Sequence, residues 1–227
     1  MTSLHTPDAS TRAAVLSLIE GTGVVAVIRL DDPAAVRDTC DALAAGGVRA
    51  LEVTMTVPGA VALIAELAPS MPAGFALGAG TVVDADTARQ VIDAGARFIV
   101  SPVFRPAVIE IARLHDVAVM PGCFTPTEIL DAWDAGADMI KVFPATVLGP
   151  GYLKDLHAPL PQVKLMPTGG VTRENAGDWI EAGAAAIGVG SALVDKAAVR
   201  AGQFDRVSAN AAHFIAAVRR ARGQGRH

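Results

Sequence analysis

The sequence predicts an α/β protein of the (β/α)8 TIM-barrel class, with an extra N-terminal helix before the first strand. Three observations carry this. Short runs rich in Val and Ile recur eight times, their starts 19 to 26 residues apart. Each run is apolar almost throughout, as expected of strands covered on both faces in a parallel sheet. The gaps between runs carry helical patterns, and several close alike: Ala45-Gly46-Gly47, Ala94-Gly95-Ala96, Ala135-Gly136-Ala137 and Ala182-Gly183-Ala184. Glycine there suits the left-handed residue that ends a helix and turns the chain into the next strand.

A helix over Ser10–Glu20 comes first. The strands follow as Val24–Arg29, Ala50–Thr54, Phe75–Thr81, Phe98–Pro102, Val117–Cys123, Met139–Pro144, Val163–Gly170 and Ala186–Ser191. Asp31-Asp32-Pro33 offers an Asp cap with Pro in the first turn of the helix after strand one. Thr125-Pro126-Thr127-Glu128 reads as a capping box after strand five. Phe204–Arg222 is a last amphipathic helix, and Gly223–His227 reads as a loose tail. An open doubly wound sheet uses the same alternation, but eight even units without a break in composition favour closure. No linker interrupts the chain. One domain is expected over residues 1–227, with the barrel at about 22–195 and the last helix at about 204–222.

The 227 residues are 52% hydrophobic and 19% charged, with a net charge of −4. A mildly acidic chain has no electrostatic footprint for nucleic acid, and ten aromatic residues are too few for base-stacking platforms. No run of about 18 uncharged apolar residues occurs, so no membrane span is expected. The N-terminus lacks the basic-then-apolar pattern of a secretory signal, and two cysteines make no disulfide framework. A soluble cytoplasmic protein is the expectation. The five histidines lie away from the strand ends, and no spacing of ligands suits a metal; neither metal nor cofactor is expected.

In a barrel, chemistry gathers where strands end and helices begin. Lys141 lies in an apolar strand, and it is one of only four lysines. Burial there is costly unless the amine is paired or its pKa falls, and a neutral amine can attack a ketone to form an iminium. A structural ion pair is the competing reading. Lys154 and Lys196 read as solvated faces, and Lys164 stands at the start of its strand. Glu52 shares a strand face with Thr54, opposite Leu51 and Val53. Facing inward, its carboxyl would be raised in pKa unless it meets Lys141 or Arg29, and it could shuttle protons; a buried ion pair without chemistry stays open. Arg29 ends strand one, where it could clamp a carboxylate or pair structurally. Thr81 could donate to the same anion or cap a helix. Strands seven and eight end in Thr168-Gly169-Gly170 and Gly188-Val189-Gly190-Ser191. Such ends form the usual phosphate site of this fold, or merely tight turns. Cys123 reads as a small packing residue.

The chain resembles the class I 2-keto-3-deoxy-6-phosphogluconate (KDPG) and 4-hydroxy-2-oxoglutarate (KHG) aldolase family. The resemblance runs from about Val24 to Val194. It rests on the order and spacing of Val27-Ile28-Arg29, Leu51-Glu52-Val53-Thr54, Gly78-Ala79-Gly80-Thr81, Ile99-Val100-Ser101-Pro102, Met120-Pro121-Gly122, Lys141-Val142-Phe143-Pro144, Pro167-Thr168-Gly169-Gly170 and Gly188-Val189-Gly190-Ser191. It implies Lys141 as Schiff-base lysine and Glu52 as general acid/base. It implies Arg29 and Thr81 on the substrate carboxylate and Gly169, Gly170, Gly190 and Ser191 on the phosphate, with Thr168 and Phe143 lining the pocket. The implied partner is a phosphorylated keto acid, and the implied assembly is a homotrimer. The 6-phosphogalactonate epimer and 4-hydroxy-2-oxoglutarate stay open as substrates. A phosphosugar isomerase, epimerase or synthase on a similar barrel, or a non-catalytic binding barrel, are the other classes.

Overall fold

Helix and strand alternate along the chain in a computed structural model that describes residues 11–223. The tail after Gly223, the first ten residues, His5 and His227 lie outside the described residues. Helix α1 (Arg12–Thr22) precedes strand β1 (Val24–Ile28). Then come α2 (Ala34–Ala45), β2 (Ala50–Thr54), α3 (Ala60–Leu67), β3 (Ala76–Gly80), α4 (Ala85–Asp93), β4 (Phe98–Val100) and α5 (Pro106–Leu114). The second half runs β5 (Ala118–Met120), β6 (Gly122–Cys123), α6 (Pro126–Asp134), β7 (Ile140–Val142), α7 (Pro150–His157), β8 (Leu165–Pro167), α8 (Ala176–Glu181), β9 (Ile187–Val189), α9 (Lys196–Arg200) and α10 (Phe204–Ala221).

Local chemistry sets the boundaries. Thr125 and Glu128 form the expected capping box at α6, and Asp84 caps α4 by accepting from the Thr87 N–H at 2.7 Å. Helix α2 starts after Pro33 rather than around it, and Asp32 accepts from the Ala34 N–H at 3.0 Å. Gly47, Gly95, Gly136 and Gly183 all have positive φ, so the recurrent glycine closings turn each helix into its next strand.

All strand pairs are parallel. One six-stranded sheet runs β5-β4-β3-β2-β1-β9, and a three-stranded sheet runs β6-β7-β8. A bridge between Thr168 and Gly188 joins β8 to β9. The result is a curled parallel sheet with helices outside. The expected fifth strand is divided at Pro121, which has no N–H to give the ladder. Beside it, a Cβ on Gly122 would come within 2.3 Å of the Pro102 backbone, so the loop after β4 passes too close for any side chain. The Pro121 carbonyl still accepts from Lys141 N–H at 2.9 Å.

Alternation divides the apolar residues into two cores. Outward residues such as Leu51, Val53, Ile99 and Ile140 pack under the helices. Inward residues Phe98, Met120, Met139 and Met166 pack with Val15 and Ile19 of α1, which closes the end where strands begin. Each such large apolar side chain contributes roughly 1.5–3 kcal/mol on burial. Arg12 holds α1 in place through buried Asp138 at 2.8 Å, whose other oxygen accepts from the Val119 N–H. Gly78 faces the Phe98 ring, and a Cβ there would lie 2.5 Å from it. Gly78→Ala is therefore expected to destabilise the fold by about 1–3 kcal/mol through overpacking. Gly151→Ala, in open space within α7, is expected to be neutral or stabilising by up to about 1 kcal/mol. Denaturant unfolding of both variants checks the contrast.

Candidate active site

Glu52 sits midway along β2, in register with Val27 of β1 and Gly78 of β3. Because Leu51 and Val53 belong to the outer core, Glu52 faces the inside of the curl. Space for it comes from Gly80 on the neighbouring strand, where a Cβ would overlap the carboxylate. Glu52 is 1% exposed, and neither carboxylate oxygen has a hydrogen-bond partner among the described residues. Burial pushes its pKa up; the positive charges of Lys141 and Arg29 oppose that rise.

Lys141 stands in β7, in register with Gly122 and Met166, and is 5% exposed. Burial draws its pKa down, Glu52 resists the fall, and Arg29 adds to it. Its Nζ lies 4.8 Å from the centroid of the Phe143 ring. The two groups thus pull each other toward charge while their surroundings push both toward neutrality. A neutral amine beside a carboxyl is an arrangement that can add to a carbonyl and move protons.

A cavity of about 260 Å³ opens at the strand ends. Arg29, Phe143, Thr168, Gly169, Gly170, Gly190 and Ser191 all line it. Gly169 and Gly170 both have positive φ, and a Cβ on Gly170 would come within 2.7 Å of the Thr146 backbone. Asn175 fixes this loop by donating to the Gly170 carbonyl at 2.9 Å and accepting from the Thr172 N–H at 2.8 Å. The N–H groups of Gly169, Gly170 and Ser191 donate to no carbonyl among the described residues. Such a cluster of unpaired N–H groups suits an anion. The Thr168 hydroxyl is buried, unpartnered, and seated against Gly188, where a Cβ would lie 2.3 Å away.

The other candidates are placed as follows. Thr81 follows β3 with φ +62°, half-buried and outside the cavity lining; the α4 cap is Asp84, so Thr81 does not fill that role. Cys123 is a packing residue: its thiol donates to the Glu128 carbonyl, and burial pushes its pKa up to about 12. Lys164 pairs with Glu20 at 2.6 Å, and Lys154 is exposed. Lys196, expected on a solvated face, is half-buried and still reaches solvent, with a side-chain exposure of 40%. It lines the cavity and pairs with Asp31, 165 residues earlier, at 2.9 Å. No local pattern in the sequence marks it.

Residues 15–210 match the family model for KDPG and KHG aldolase. A probable 2-dehydro-3-deoxy-6-phosphogalactonate aldolase of Rhizobium meliloti (strain 1021) is 37% identical over 171 residues, 75% of this chain and 81% of that protein. A 2-dehydro-3-deoxy-phosphogluconate aldolase of Pseudomonas aeruginosa is 34% identical over 212 residues, covering 92% of this chain and 96% of the relative. A solved Legionella pneumophila KDPG aldolase, with pyruvate captured at low pH as a covalent carbinolamine, superposes with a TM-score of 0.79 at 28% identity, over 89% of this chain and 97% of that one.

The buried carboxyl has a consequence for stability. In the fold Glu52 titrates above its ordinary value, so its contribution is complete below that value and is lost as pH rises through the folded one. Wild type is therefore expected to lose stability relative to Glu52→Gln as pH is raised from about 4 to about 8. Denaturant unfolding across that range checks it, and a difference independent of pH contradicts it.

Proposed function

Because this chain belongs to the KDPG and KHG aldolase family, we propose that its cavity takes 2-keto-3-deoxy-6-phosphogluconate and splits it into pyruvate and glyceraldehyde 3-phosphate. The chain is a class I aldolase, a carbon–carbon lyase working through a Schiff base. The observation that carries the residue assignment is the buried pair of Lys141 and Glu52, mutually coupled and coupled to Arg29, next to a cavity rimmed by free N–H groups.

The neutral amine of Lys141 adds to C2 of the keto acid, and loss of water gives a protonated imine. That cation draws electrons from the C3–C4 bond, which breaks to leave an enamine and the aldehyde. Glu52 accepts the C4 hydroxyl proton, directly or through one water, and serves the proton transfers of carbinolamine formation. Protonation of the enamine at C3 and hydrolysis of the imine release pyruvate and regenerate the amine. Arg29 takes the carboxylate, with Thr81 beside the strand end as its partner in that role. Gly169, Gly170, Gly190 and Ser191 hold the phosphate through N–H groups, while Thr168 and Phe143 shape the wall. Clamping both ends of the substrate fixes the bond to be broken against Lys141.

The wider setting is part of the same proposal. The strands close into an eight-stranded barrel, β5 and β6 counting as one strand. The Thr168–Gly188 bridge and the Lys141 N–H bond to Pro121 support that closure. A single domain accords with an apolar outer core that continues from Val24 to Val218. The exposed apolar side chains of Val83, Val103, Phe124 and Val147 follow neighbouring strands, and they support a homotrimer contact on that side. Within the described residues no helix is long and apolar enough to cross a membrane, and a phosphorylated substrate fits a cytoplasmic setting. Relatives named for the galactonate epimer match at similar identity, so that epimer is the second substrate reading. A 3-hexulose-6-phosphate synthase at 18% identity shares the fold alone.

Lys141→Ala is expected to abolish pyruvate release from either epimer, read in a coupled pyruvate assay; near-normal turnover overturns the assignment. Glu52→Gln is expected to lower kcat by about 10²–10⁴-fold while KM changes little. A large rise in KM with kcat intact contradicts its role.

A further inference from the structure

Among the described residues two with cationic side chains line the cavity, Arg29 and Lys196, and no Asp or Glu does. Arg29 ends β1 and acts electrostatically on both Glu52 and Lys141, so it belongs to the reacting end of the substrate. The glycine-rich end must hold a phosphate carrying close to two negative charges. N–H groups satisfy its oxygens but leave most of that charge unmatched. Lys196 is the remaining cation at the cavity wall, and it is half-buried.

We propose that Lys196 is a specificity-determining residue that recognises the terminal phosphate of the substrate. The inference rests on the aldolase reading of the same cavity. In the structure Lys196 Nζ bonds Asp31 Oδ1 at 2.9 Å, while Arg200 bonds Asp31 Oδ2 at 2.8 Å. Asp31 thus has a second cation and stays paired if Lys196 turns to a ligand. Both side chains of the pair reach solvent, with exposures of 40% and 66%, so it is weak and easily exchanged. A flexible four-carbon stem ending in a point charge suits this exchange, since a phosphate is bound by such a charge without fixed fork geometry. The neighbouring carboxylate of Asp195 does not compete for it. Asp195 caps α9 through the Ala197 and Ala198 N–H groups and pairs with Arg206 at 3.2 Å. Asp31 holds Lys196 beside the cavity, and an incoming phosphate takes it over.

The test compares Lys196→Gln, Lys196→Arg and Asp31→Asn with wild type on 2-keto-3-deoxy-6-phosphogluconate and on the same acid without its phosphate. Lys196→Gln is expected to raise KM for the phosphorylated acid about tenfold or more with kcat within threefold, and to reduce the preference for the phosphorylated acid by a similar factor. Lys196→Arg restores most of that preference. Asp31→Asn releases the lysine and leaves KM equal to or below that of wild type. An unchanged preference in Lys196→Gln overturns the proposal, as does a KM rise of equal size in Asp31→Asn, which marks a purely structural ion pair. Wild-type cleavage of the phosphorylated acid is read in the same series. Its absence, with the galactonate epimer also left uncleaved, removes the aldolase reading, whereas cleavage with an unaltered Lys196→Gln removes only the role of Lys196.

Discussion

A carboxyl and an amine share the interior of a curled sheet, and the carboxylate oxygens of Glu52 have no hydrogen-bond partner there. Burial alone would drive both groups to their neutral forms; proximity alone would hold both as ions. The proposed chemistry draws on the balance between these two tendencies: burial favours a neutral amine and a neutral carboxyl, and each group's charge opposes that in the other. It also means that the fold carries an electrostatic penalty at its centre, offset by the apolar layers on either side.

Several features of the backbone exist to permit that pair. Gly80 has no side chain because the Glu52 carboxylate occupies its space, and Gly188 has none because Thr168 does. Gly78 accommodates Phe98, whose ring floors the interior under the polar residues. Helix α1 seals the opposite end with Val15 and Ile19, so the apolar floor lies at the end where the strands begin. A protein with net charge −4 thereby presents a cavity whose charged lining residues, among those described, are Arg29 and Lys196.

Much of this was legible in the residue order. Parallel strands covered on both faces read as apolar runs, so Lys141 and Glu52 stand out as exceptions, and period-two alternation alone turns Glu52 away from Leu51 and Val53. Capping chemistry at Thr125–Glu128 and glycine at helix ends are local, and both were found as expected. Features that depend on distant neighbours were not legible. The break at Pro121 arises from the Ser101–Pro102 loop pressing on Gly122, and the short helix α9 after β9 follows no strong periodicity. Lys196 looked like one more solvated lysine because its position depends on Asp31, far away in sequence. The backbone of Thr81, expected among the anion-holding groups, was not legible either: it follows β3 with positive φ, a conformation rare for threonine, and like Glu52 and Lys141 it stands just outside the cavity lining.

The claim on which everything else depends is that Lys141 forms an imine with a keto acid. Borohydride reduction of the wild-type protein in the presence of pyruvate, followed by peptide mass spectrometry, tests it most directly. A Schiff-base lysine gives a stable adduct of reduced pyruvate on Lys141 alone among the four lysines. Full turnover with no adduct, or an adduct on Lys154, Lys164 or Lys196 instead, would contradict it.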